Sequence, residues 1–345
     1  MNERVERLRA SLEEPLLVTA QVNIDYLTGF DSDNAALLVG PDQLTLYTDF
    51  RYVEAARDVA GVELVQSGRN LFADLAQRLS GSVGFEAHDV TYAEYETLVA
   101  GAFVPVPRRR AVEALRMEKD DDELAAIRSA AEIASETFDR LAREPFVGRT
   151  ERELADWIEA TFRQLGGAGV SYDTIVASGP NAALPHAVPG ERVVGEGETV
   201  IVDASPMVDG YCCDCTRTFA TGELPDELRR AYDVAQGAQA AGLDAIRAGT
   251  ATRDADGAAR RVIDDAGFGE AFGHGLGHGV GLLVHELPYL NPESEDSLSA
   301  RQVVTCEPGI YLGGLGGIRI EDLVVVADGA CEVLTTSTKG LVTVA

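Results

Sequence analysis

Lysine is nearly absent from this chain of 345 residues. Lys119 and Lys339 are the only lysines, so arginine supplies the other 27 of the 29 basic residues. The acidic residues number 57, and the formal net charge is −28. A field this negative repels the phosphates of DNA and RNA, which argues against nucleic acid as a partner.

The acidic residues are dispersed along the chain and are not gathered in a tail. Dispersed carboxylates with few lysines suit a very salty cytoplasm, where screening by salt weakens their mutual repulsion. We therefore expect a halophilic protein. An ordinary acidic bacterial enzyme is the alternative.

Long apolar stretches are also missing. No run of about 18 apolar residues occurs that could cross a bilayer. The charged segment Met1–Glu14 lacks the apolar centre of a secretory signal. We expect a cytoplasmic protein with no membrane partner.

Cysteine is scarce, and the five cysteines are an odd number, which argues against a secreted disulfide framework. Three of them cluster at Cys212, Cys213 and Cys215. A separate zinc site is one interpretation of this cluster. Small buried apolar side chains are the favoured one, because free cysteine usually packs that way.

The length suits two domains of roughly 100–200 residues each. We predict a small α/β domain over residues 1–115, followed by a catalytic domain over residues 116–345. The first domain alternates short apolar strands with amphipathic helices. Its predicted strands are Leu37–Val39, Leu44–Tyr47 and Val83–Phe85, and its predicted helices are Phe50–Val59, Leu71–Leu79 and Ala93–Ala100. The Pro/Arg-rich segment 104–110 is predicted to be a boundary, with Arg108, Arg109 and Arg110 as salt-bridge partners.

The second domain is predicted to be α+β, because its strands and helices occur in separate runs. A long helix is expected from about Asp120 to Arg143, and Thr150 with Glu153 forms a capping-box pattern that opens another helix. The further predicted helices are Asp226–Arg247 and Thr252–Ala266, and the predicted strands are Thr174–Val176, Thr199–Asp203, Cys215–Phe219, Gln302–Cys306 and Ile318–Val326.

Four acidic residues fall where strand-like patterns should be apolar. They are Asp203, Asp214, Glu307 and Glu321. Burying an isolated carboxylate is very costly, so each needs a partner or a metal ion. No lysine lies near any of them in the sequence, which favours a metal site.

Histidine supports the same interpretation, since four of the five histidines lie between residues 186 and 285. Two of them, His274 and His278, stand in the glycine-rich segment GHGLGHGVG, where a small backbone allows close approach to a ligand. Carboxylates with one histidine suit divalent ions such as Mn, Co, Fe or Zn. Bridging carboxylates would hold two such ions about 3.5–4 Å apart.

The order and context of these residues closely resemble the pita-bread metallopeptidases. The matching segments are VDASP, DCTRT, GHGVG, CEPGIY and RIEDL, which contain Asp203, Asp214, His278, Glu307 and Glu321. In the first domain, YLTGF, TDFRY and GFE are similar to the creatinase-like amino-terminal domain of prolidase-type members. The resemblance implies an α+β pita-bread catalytic domain preceded by a smaller α/β domain.

The resemblance also implies a role for each matching residue. Asp203 is expected to bind one metal ion, His278 and Glu307 the other, and Asp214 and Glu321 to bridge the pair. Glu307 is also expected to be catalytic. His186 and His285 are expected to bind substrate and stabilise the oxyanion, with a structural role as the alternative.

Three further residues keep open interpretations. His274 is either a substrate-binding residue or a hydrogen-bonded loop residue. Arg319 either orients Glu321 or receives a substrate carboxylate, because alternation on a strand would put both side chains on one face. His88 is expected to be a surface residue.

The resemblance implies a metallopeptidase with two divalent ions per chain, Mn or Co first and Zn or Fe as alternatives. The family includes methionine aminopeptidase, which lacks such a first domain and the RIED context and is therefore disfavoured. Xaa-Pro dipeptidase (prolidase) is the principal expectation, with small peptides as substrates. The alternatives are an aminopeptidase P-like enzyme that acts on longer peptides and a non-catalytic peptide-binding relative. Prolidase-type relatives imply a homodimer.

Overall fold

The computed structural model describes residues 3–344 of the chain. This range divides into two units between Arg116 and Met117, one residue beyond the predicted domain boundary. Throughout residues 3–344, no helix has both the length and the apolar character needed to cross a membrane.

The first unit alternates helices with the strands of one sheet. Its helices are α1 (Glu3–Ser11), α2 (Gln21–Thr28), α3 (Val53–Ala56), α4 (Leu71–Arg78), α5 (Tyr92–Val99) and α6 (Glu113–Arg116). Its strands are β1 (Leu16–Val18), β2 (Ala35–Val39), β3 (Leu44–Thr48), β4 (Glu63–Gln66), β5 (Ser82–Glu86) and β6 (Val104–Arg108). They form one mixed sheet in the order β4-β3-β2-β1-β5-β6.

The centre of this sheet is β1, which pairs antiparallel with β2 and parallel with β5. All three residues of β1 are buried, as expected for a strand covered on both faces. Leu17 packs in a core cluster with Leu75 of α4 and Leu98 of α5. The helices therefore cover the sheet in the manner of an α/β unit.

The three predicted strands of the first unit are confirmed within β2, β3 and β5. The predicted helix Phe50–Val59 is wrong in extent, because only Val53–Ala56 is helical. No side chain caps its start at Tyr52, and a single helical turn has little stability of its own.

The segment predicted as a domain boundary is partly a strand, since β6 occupies Val104–Arg108. Pro105 and Pro107 are tolerated there because β6 is an edge strand of the sheet. The expected salt bridges are confirmed for Arg108, whose guanidinium contacts Glu14 at 2.5 Å and Glu13 at 3.0 Å.

The second unit contains four long helices and several small sheets. Its helices are α7 (Asp121–Leu141), α8 (Glu151–Gln164), α9 (Asp226–Ala245) and α10 (Thr252–Asp265), with 3-10 turns at Gly179–Ala183 and Gly269–Ala271. Its strands are β7 (Gly169–Val170), β8 (Ile175–Ser178), β9 (Thr199–Asp203), β10 (Pro206–Val208), β11 (Tyr211–Cys212), β12 (Thr216–Ala220), β13 (Gly277–Gly279), β14 (Glu286–Leu290), β15 (Val303–Cys306), β16 (Gly309–Leu312), β17 (Gly316–Arg319), β18 (Asp322–Val325), β19 (Glu332–Val333) and β20 (Val342–Thr343).

Two of these sheets position the candidate site. One has the order β20-β12-β9-β8 and the other the order β14-β13-β15-β18-β19. Their neighbouring strands are antiparallel except for the parallel pair β12–β20. Helices α9 and α10 pack against each other, and their apolar faces share a core cluster with Val304 of β15 and Val324 of β18. Antiparallel sheets with separate helices make this unit α+β, as predicted.

The predicted helix starts are confirmed. Asp120 caps α7 and forms a capping box with Glu123, and Thr150 does the same for α8 with Glu153. In each case the side chains satisfy backbone N–H groups that have no partner inside the helix. The acidic segment that begins at Asp120 is thus a helix start.

The predicted strand Ile318–Val326 is wrong as a continuous element. It is split into β17, which ends at Arg319, and β18, which begins at Asp322, and the two belong to different sheets. Glu321 lies in the link between them, where its N–H donates to the carbonyl of Thr216 at 3.1 Å. The break lets Glu321 reach the neighbouring sheet instead of alternating along one strand.

Candidate metal centre and active site

The five expected metal ligands come from five separate parts of the second unit. Asp203 ends β9, Asp214 lies in the link between β11 and β12, His278 is the middle residue of β13, Glu307 follows β15, and Glu321 lies between β17 and β18. Four of them lie at the end of a strand or just beyond one, whereas His278 lies within β13.

These side chains meet at one point. Carboxylate oxygens of Asp203, Asp214 and Glu321 all lie within 4.8 Å of one another. His278 Nε2 lies 3.5 Å from Asp214 Oδ2 and 3.2 Å from Glu307 Oε1. The arrangement brings together four carboxylates and one imidazole from a stretch of the chain that runs from Asp203 to Glu321.

Electrostatics in this cluster favour a bound cation. Burial, together with the charges of Asp203 and Glu307, raises the pKa of Asp214 well above its usual range. Burial and the charge of Asp214 do the same to the pKa of Glu321. Like charges held together in a low dielectric repel each other unless a proton or a metal ion neutralises them. The donor set fits hard or borderline divalent ions.

The hydrogen bonds of Tyr172 also favour a bound cation. Its hydroxyl oxygen contacts Oδ1 of Asp214 at 2.7 Å and also hydrogen bonds to Oδ1 of Asp203. A phenol has one proton to donate, so it cannot satisfy both carboxylates when both are ionised. Positive charge beside the two aspartates would remove this conflict.

Two glycines explain how His278 fits between its neighbouring strands. A Cβ at Gly277 would lie 2.2 Å from the carbonyl oxygen of Thr305, and one at Gly279 would lie 2.1 Å from that of Leu287. The backbone of β13 therefore approaches its neighbours more closely than any other residue type allows. The glycines around this histidine serve strand packing.

Thr305 connects two of the ligands. Its hydroxyl accepts a hydrogen bond from the backbone N–H of His278 at 3.0 Å and donates one to Glu307 Oε1 at 3.1 Å. Burial alone would raise the pKa of Glu307, but the hydrogen bond and charge of His278, together with the charges of His274 and Arg319, outweigh it and lower that pKa to about 2. The two ligands therefore behave as a pair.

Arg319 contacts Asp203 and not Glu321. Its Nη2 lies 2.6 Å from Asp203 Oδ2, and its Nε donates to the hydroxyl of Thr216 at 3.1 Å. That hydroxyl in turn donates to Glu321 Oε2 at 2.6 Å. Arg319 thus reaches Glu321 only through Thr216.

The ligand cluster forms part of the wall of a cavity of about 850 Å³. His186, His274 and His285 line the same cavity. The ring of His285 lies edge-on to that of His278, with 4.4 Å between their centroids. His274 Nε2 is hydrogen bonded to the hydroxyl of Tyr311 at 2.9 Å. The three histidines for which a role in substrate binding was considered therefore line the same cavity as the candidate metal ligands.

The remaining histidine and the cysteines lie outside this cluster. His88 belongs to the first unit, is exposed, and contacts Glu113 at 2.9 Å, so the surface prediction is confirmed. Cys212, Cys213 and Cys215 form no disulfide and are buried within apolar core clusters. Within residues 3–344, no cysteine belongs to a group of three or more candidate metal ligands. The packing interpretation of the cysteines is thereby favoured over zinc.

Several polar residues of the site were not predicted from the sequence, among them Tyr172, Thr305 and Tyr311. Tyr172 has no sequence signal, because it lies 31 residues before Asp203 and in no recognisable pattern. Thr305 does have one: it is the polar residue of an otherwise apolar strand and stands two positions before Glu307, on the same face.

Comparison with known proteins decides the family. The model of metallopeptidase family M24 matches residues 125–328, and that of the creatinase/prolidase N-terminal domain matches residues 4–118. The chain belongs to metallopeptidase family M24. The family and the two-part fold expected from the sequence motifs are therefore confirmed.

The similarity to individual M24 proteins covers nearly the whole length of the chain. YqhT, an uncharacterized peptidase of Bacillus subtilis strain 168, is 36% identical over 95% of each chain. An Xaa-Pro dipeptidase from Bacillus anthracis has a TM-score of 0.92 at 36% identity and covers 99% of both chains. An X-Pro aminopeptidase from Thermotoga maritima has a TM-score of 0.86 at 32% identity, covering 99% of this chain and 100% of its own.

Proposed function

We propose that this M24 metallopeptidase hydrolyses the peptide bond before proline in small peptides, with Xaa-Pro dipeptides as its principal substrates. The observation that carries the proposal is the convergence of five metal-type ligands on the wall of a cavity that also holds three histidines. Similarity to the B. anthracis Xaa-Pro dipeptidase supports the choice of substrate.

The ligand set would hold two divalent ions. Asp203 would bind one ion, His278 and Glu307 the other, and Asp214 and Glu321 both. Mn or Co is the expected metal, with Zn or Fe as alternatives, because oxygen ligands dominate the set. When bound, such ions activate water and polarise the scissile carbonyl.

The protein's own groups would then handle protons and position the peptide. The Glu307 carboxylate would take a proton from the attacking water and deliver it to the leaving nitrogen of proline. His186 and His285 would donate hydrogen bonds to the oxygen of the scissile carbonyl, where negative charge develops. The contact between Arg319 and Asp203 supports an orienting role for Arg319 over a direct role in binding the substrate carboxylate.

An aminopeptidase P-like activity is the second candidate. The similarity to the T. maritima X-Pro aminopeptidase, 32% identical, supports it. The two activities differ in whether residues may follow proline, so substrate length separates them.

The decisive experiment is hydrolysis of Met-Pro, Ala-Pro, Ala-Ala and Ala-Pro-Ala by the purified full chain in high KCl. The protein is first stripped with a chelator and then supplied with Mn²⁺ or Co²⁺. Metal-restored cleavage of the Xaa-Pro dipeptides alone supports the dipeptidase proposal. Cleavage that extends to Ala-Pro-Ala supports the aminopeptidase alternative.

A matched pair of variants tests the site itself. Glu307→Gln removes the proposed proton carrier, whereas Glu293→Gln makes the same chemical change at an exposed position. We expect activity to fall at least 100-fold in the first and to stay unchanged in the second. Wild-type protein that is folded but hydrolyses none of these peptides with any added metal would contradict an enzymatic function and favour a peptide-binding relative.

The cellular setting is part of the proposal. The net charge of −28 supports activity in a salty cytoplasm, where mobile ions screen carboxylate repulsion. Activity and folding measured from about 0.1 to 3 M KCl should both rise with salt. An optimum at low salt would favour an ordinary acidic enzyme.

We also propose a homodimer, on the similarity of the first unit to the creatinase/prolidase N-terminal domain. Sedimentation velocity in high KCl measures the mass directly. A species at the monomer mass of 36.7 kDa over a wide concentration range would contradict the dimer.

A further inference from the structure

A buried ion pair lies behind the candidate metal centre, on the other side of β12. Arg217 of this strand is 3% exposed, and Asp322 at the start of β18 is fully buried. Side chains alternate along a strand, so Thr216 and Arg217 point to opposite faces of β12. The Thr216 hydroxyl donates to the Glu321 carboxylate, while Arg217 points away from the cavity toward Asp322.

Arg217 holds the peptide backbone at Glu321. Its Nη1 donates to the carbonyl oxygen of Glu321 and, at 2.9 Å, to that of Thr216. The N–H of Glu321 also donates to the Thr216 carbonyl, at 3.1 Å. The three groups form a closed ring of hydrogen bonds, so both peptide groups of Glu321 are tied to the strand that follows Asp214.

Asp322 fixes the guanidinium in turn. Its Oδ1 accepts from Arg217 Nη2 at 2.8 Å and from the Thr335 hydroxyl at 3.0 Å. Its Oδ2 accepts from Gln239 at 2.7 Å and from Lys339 at 2.6 Å. Every acceptor position of this carboxylate is in use, which leaves Arg217 a single orientation.

Stability alone is a poor reason for this arrangement. A buried ion pair gains little over apolar packing, since desolvation offsets most of the attraction. Arg217 Nε is moreover buried and has no hydrogen-bond partner among residues 3–344. A donor left in this state costs free energy. What the pair supplies is a fixed position for the backbone between β17 and β18, where the strand is broken.

We infer that Arg217 is a positioning residue that sets the place of Glu321 relative to Asp214, and through it the affinity of the centre for metal. The inference rests on the proposed function in taking Glu321 as a metal ligand. Groups that orient metal ligands without touching the metal typically change metal affinity by about 10–100-fold. Arg217 would do so through the main chain of Glu321.

The test compares Arg217→Lys with Lys339→Met in the full chain. Arg217→Lys keeps the charge but loses the fork that reaches the Glu321 carbonyl through Nη1 and the Asp322 carboxylate through Nη2 at once. Lys339→Met also removes a cationic partner of Asp322, yet leaves the backbone of Glu321 untouched. Mn²⁺ affinity is measured by calorimetry on protein from which a chelator has removed all metal. The unfolding temperature of the same metal-free protein is measured in parallel.

We expect Arg217→Lys to weaken Mn²⁺ binding at least tenfold and Lys339→Met to change it by less than about threefold. A merely structural pair would lower the metal-free unfolding temperature in both variants and leave Mn²⁺ affinity alone. Arg217→Lys protein that binds Mn²⁺ like wild type overturns the inference.

Two other results, an unfolded variant and a wild-type protein that binds no metal, can be told apart from failure of the inference. If Arg217→Lys does not fold, Asp322→Asn decides, because it keeps the shape and weakens the hold on the guanidinium; Lys339→Met controls for the contact with Lys339 that it also weakens. A loss of Mn²⁺ affinity of threefold or more then supports the inference, and unchanged affinity overturns it. Wild-type protein that binds no Mn²⁺, Co²⁺ or Zn²⁺ would instead contradict the proposed function.

Discussion

The hydroxyl oxygen of Tyr172 lies 2.7 Å from Oδ1 of Asp214, and the same oxygen hydrogen bonds to Asp203. One phenol therefore links two carboxylates that come from opposite ends of the β10–β11 hairpin. Burial and the charges of Asp203 and Asp214 raise the pKa of Tyr172 well above its usual range, so the phenol keeps its proton. Tyr172 is a hydrogen-bond donor to two of the proposed metal ligands.

Replacing Tyr172 with phenylalanine should lower metal affinity without unfolding the protein. The change removes one hydroxyl and keeps the ring, so packing is preserved. Asp203 and Asp214, however, lose the hydrogen-bond donor that they share. We expect Mn²⁺ affinity to fall about tenfold, as is typical when a partner of metal ligands is lost. Calorimetry measures it, with Tyr92→Phe as a control at a site 75% exposed. Equal affinities in the two variants would refute this role.

Gly277→Ala should be far more damaging than Gly273→Ala, although the two positions are four residues apart. A Cβ at Gly277 would meet a backbone carbonyl at 2.2 Å, which cannot move without separating β13 from β15. A Cβ at Gly273 has nothing within 4 Å. We expect a loss of about 1–3 kcal/mol or more of unfolding free energy in the first variant and little in the second. Urea denaturation compares them, and similar midpoints would contradict the packing explanation.

Metal binding should appear as thermal stabilisation, independently of activity. A ligand that binds only the folded state at 100 times its Kd adds about 2.7 kcal/mol. For a unit of this size that corresponds to roughly 5–10 °C in Tm. We expect this rise with Mn²⁺ in wild type and in Asp233→Asn, an exposed control, and its loss in Asp214→Asn. A full shift in Asp214→Asn would exclude Asp214 as a ligand.

Much of the fold could be predicted because periodicity and caps are local properties. The boundaries of α7 and α9 and of β9 follow from local patterns and from caps such as Asp120. The four acidic candidate ligands could be predicted because each is a charged residue in an apolar context, a conflict that burial makes expensive. His278 could be predicted from the glycine-rich segment that contains it.

What could not be predicted depends on contacts between distant segments. The break at Glu321 is held by Arg217 and Thr216, residues about a hundred positions earlier that no local pattern connects to it. Tyr172 reaches the site from a segment without any regular pattern. The contacts of Arg319 were predicted from strand alternation, which fails once the strand ends at that residue.

A buried carboxylate in the first unit gives a prediction on pH. Glu86 is 1% exposed and accepts hydrogen bonds from the backbone N–H groups of Thr19 at 2.7 Å and Ala20 at 2.8 Å. The Asn23 amide donates to its other oxygen at 2.6 Å. Burial outweighs these bonds and raises the pKa of Glu86 from 4.5 to about 7.

Because the pKa of Glu86 is about 7 when folded and about 4.5 when unfolded, the folded chain binds more protons between these values. Its contribution to stability is therefore present at pH 4.5 and lost as pH rises to about 7. Glu86→Gln carries no such titration, so relative to wild type its unfolding free energy should rise by roughly 2–3 kcal/mol between pH 5 and pH 8. Denaturation followed by circular dichroism at both pH values measures the difference, with exposed Glu96→Gln as the control. A difference that does not change with pH would mean that Glu86 stays ionised in the folded protein.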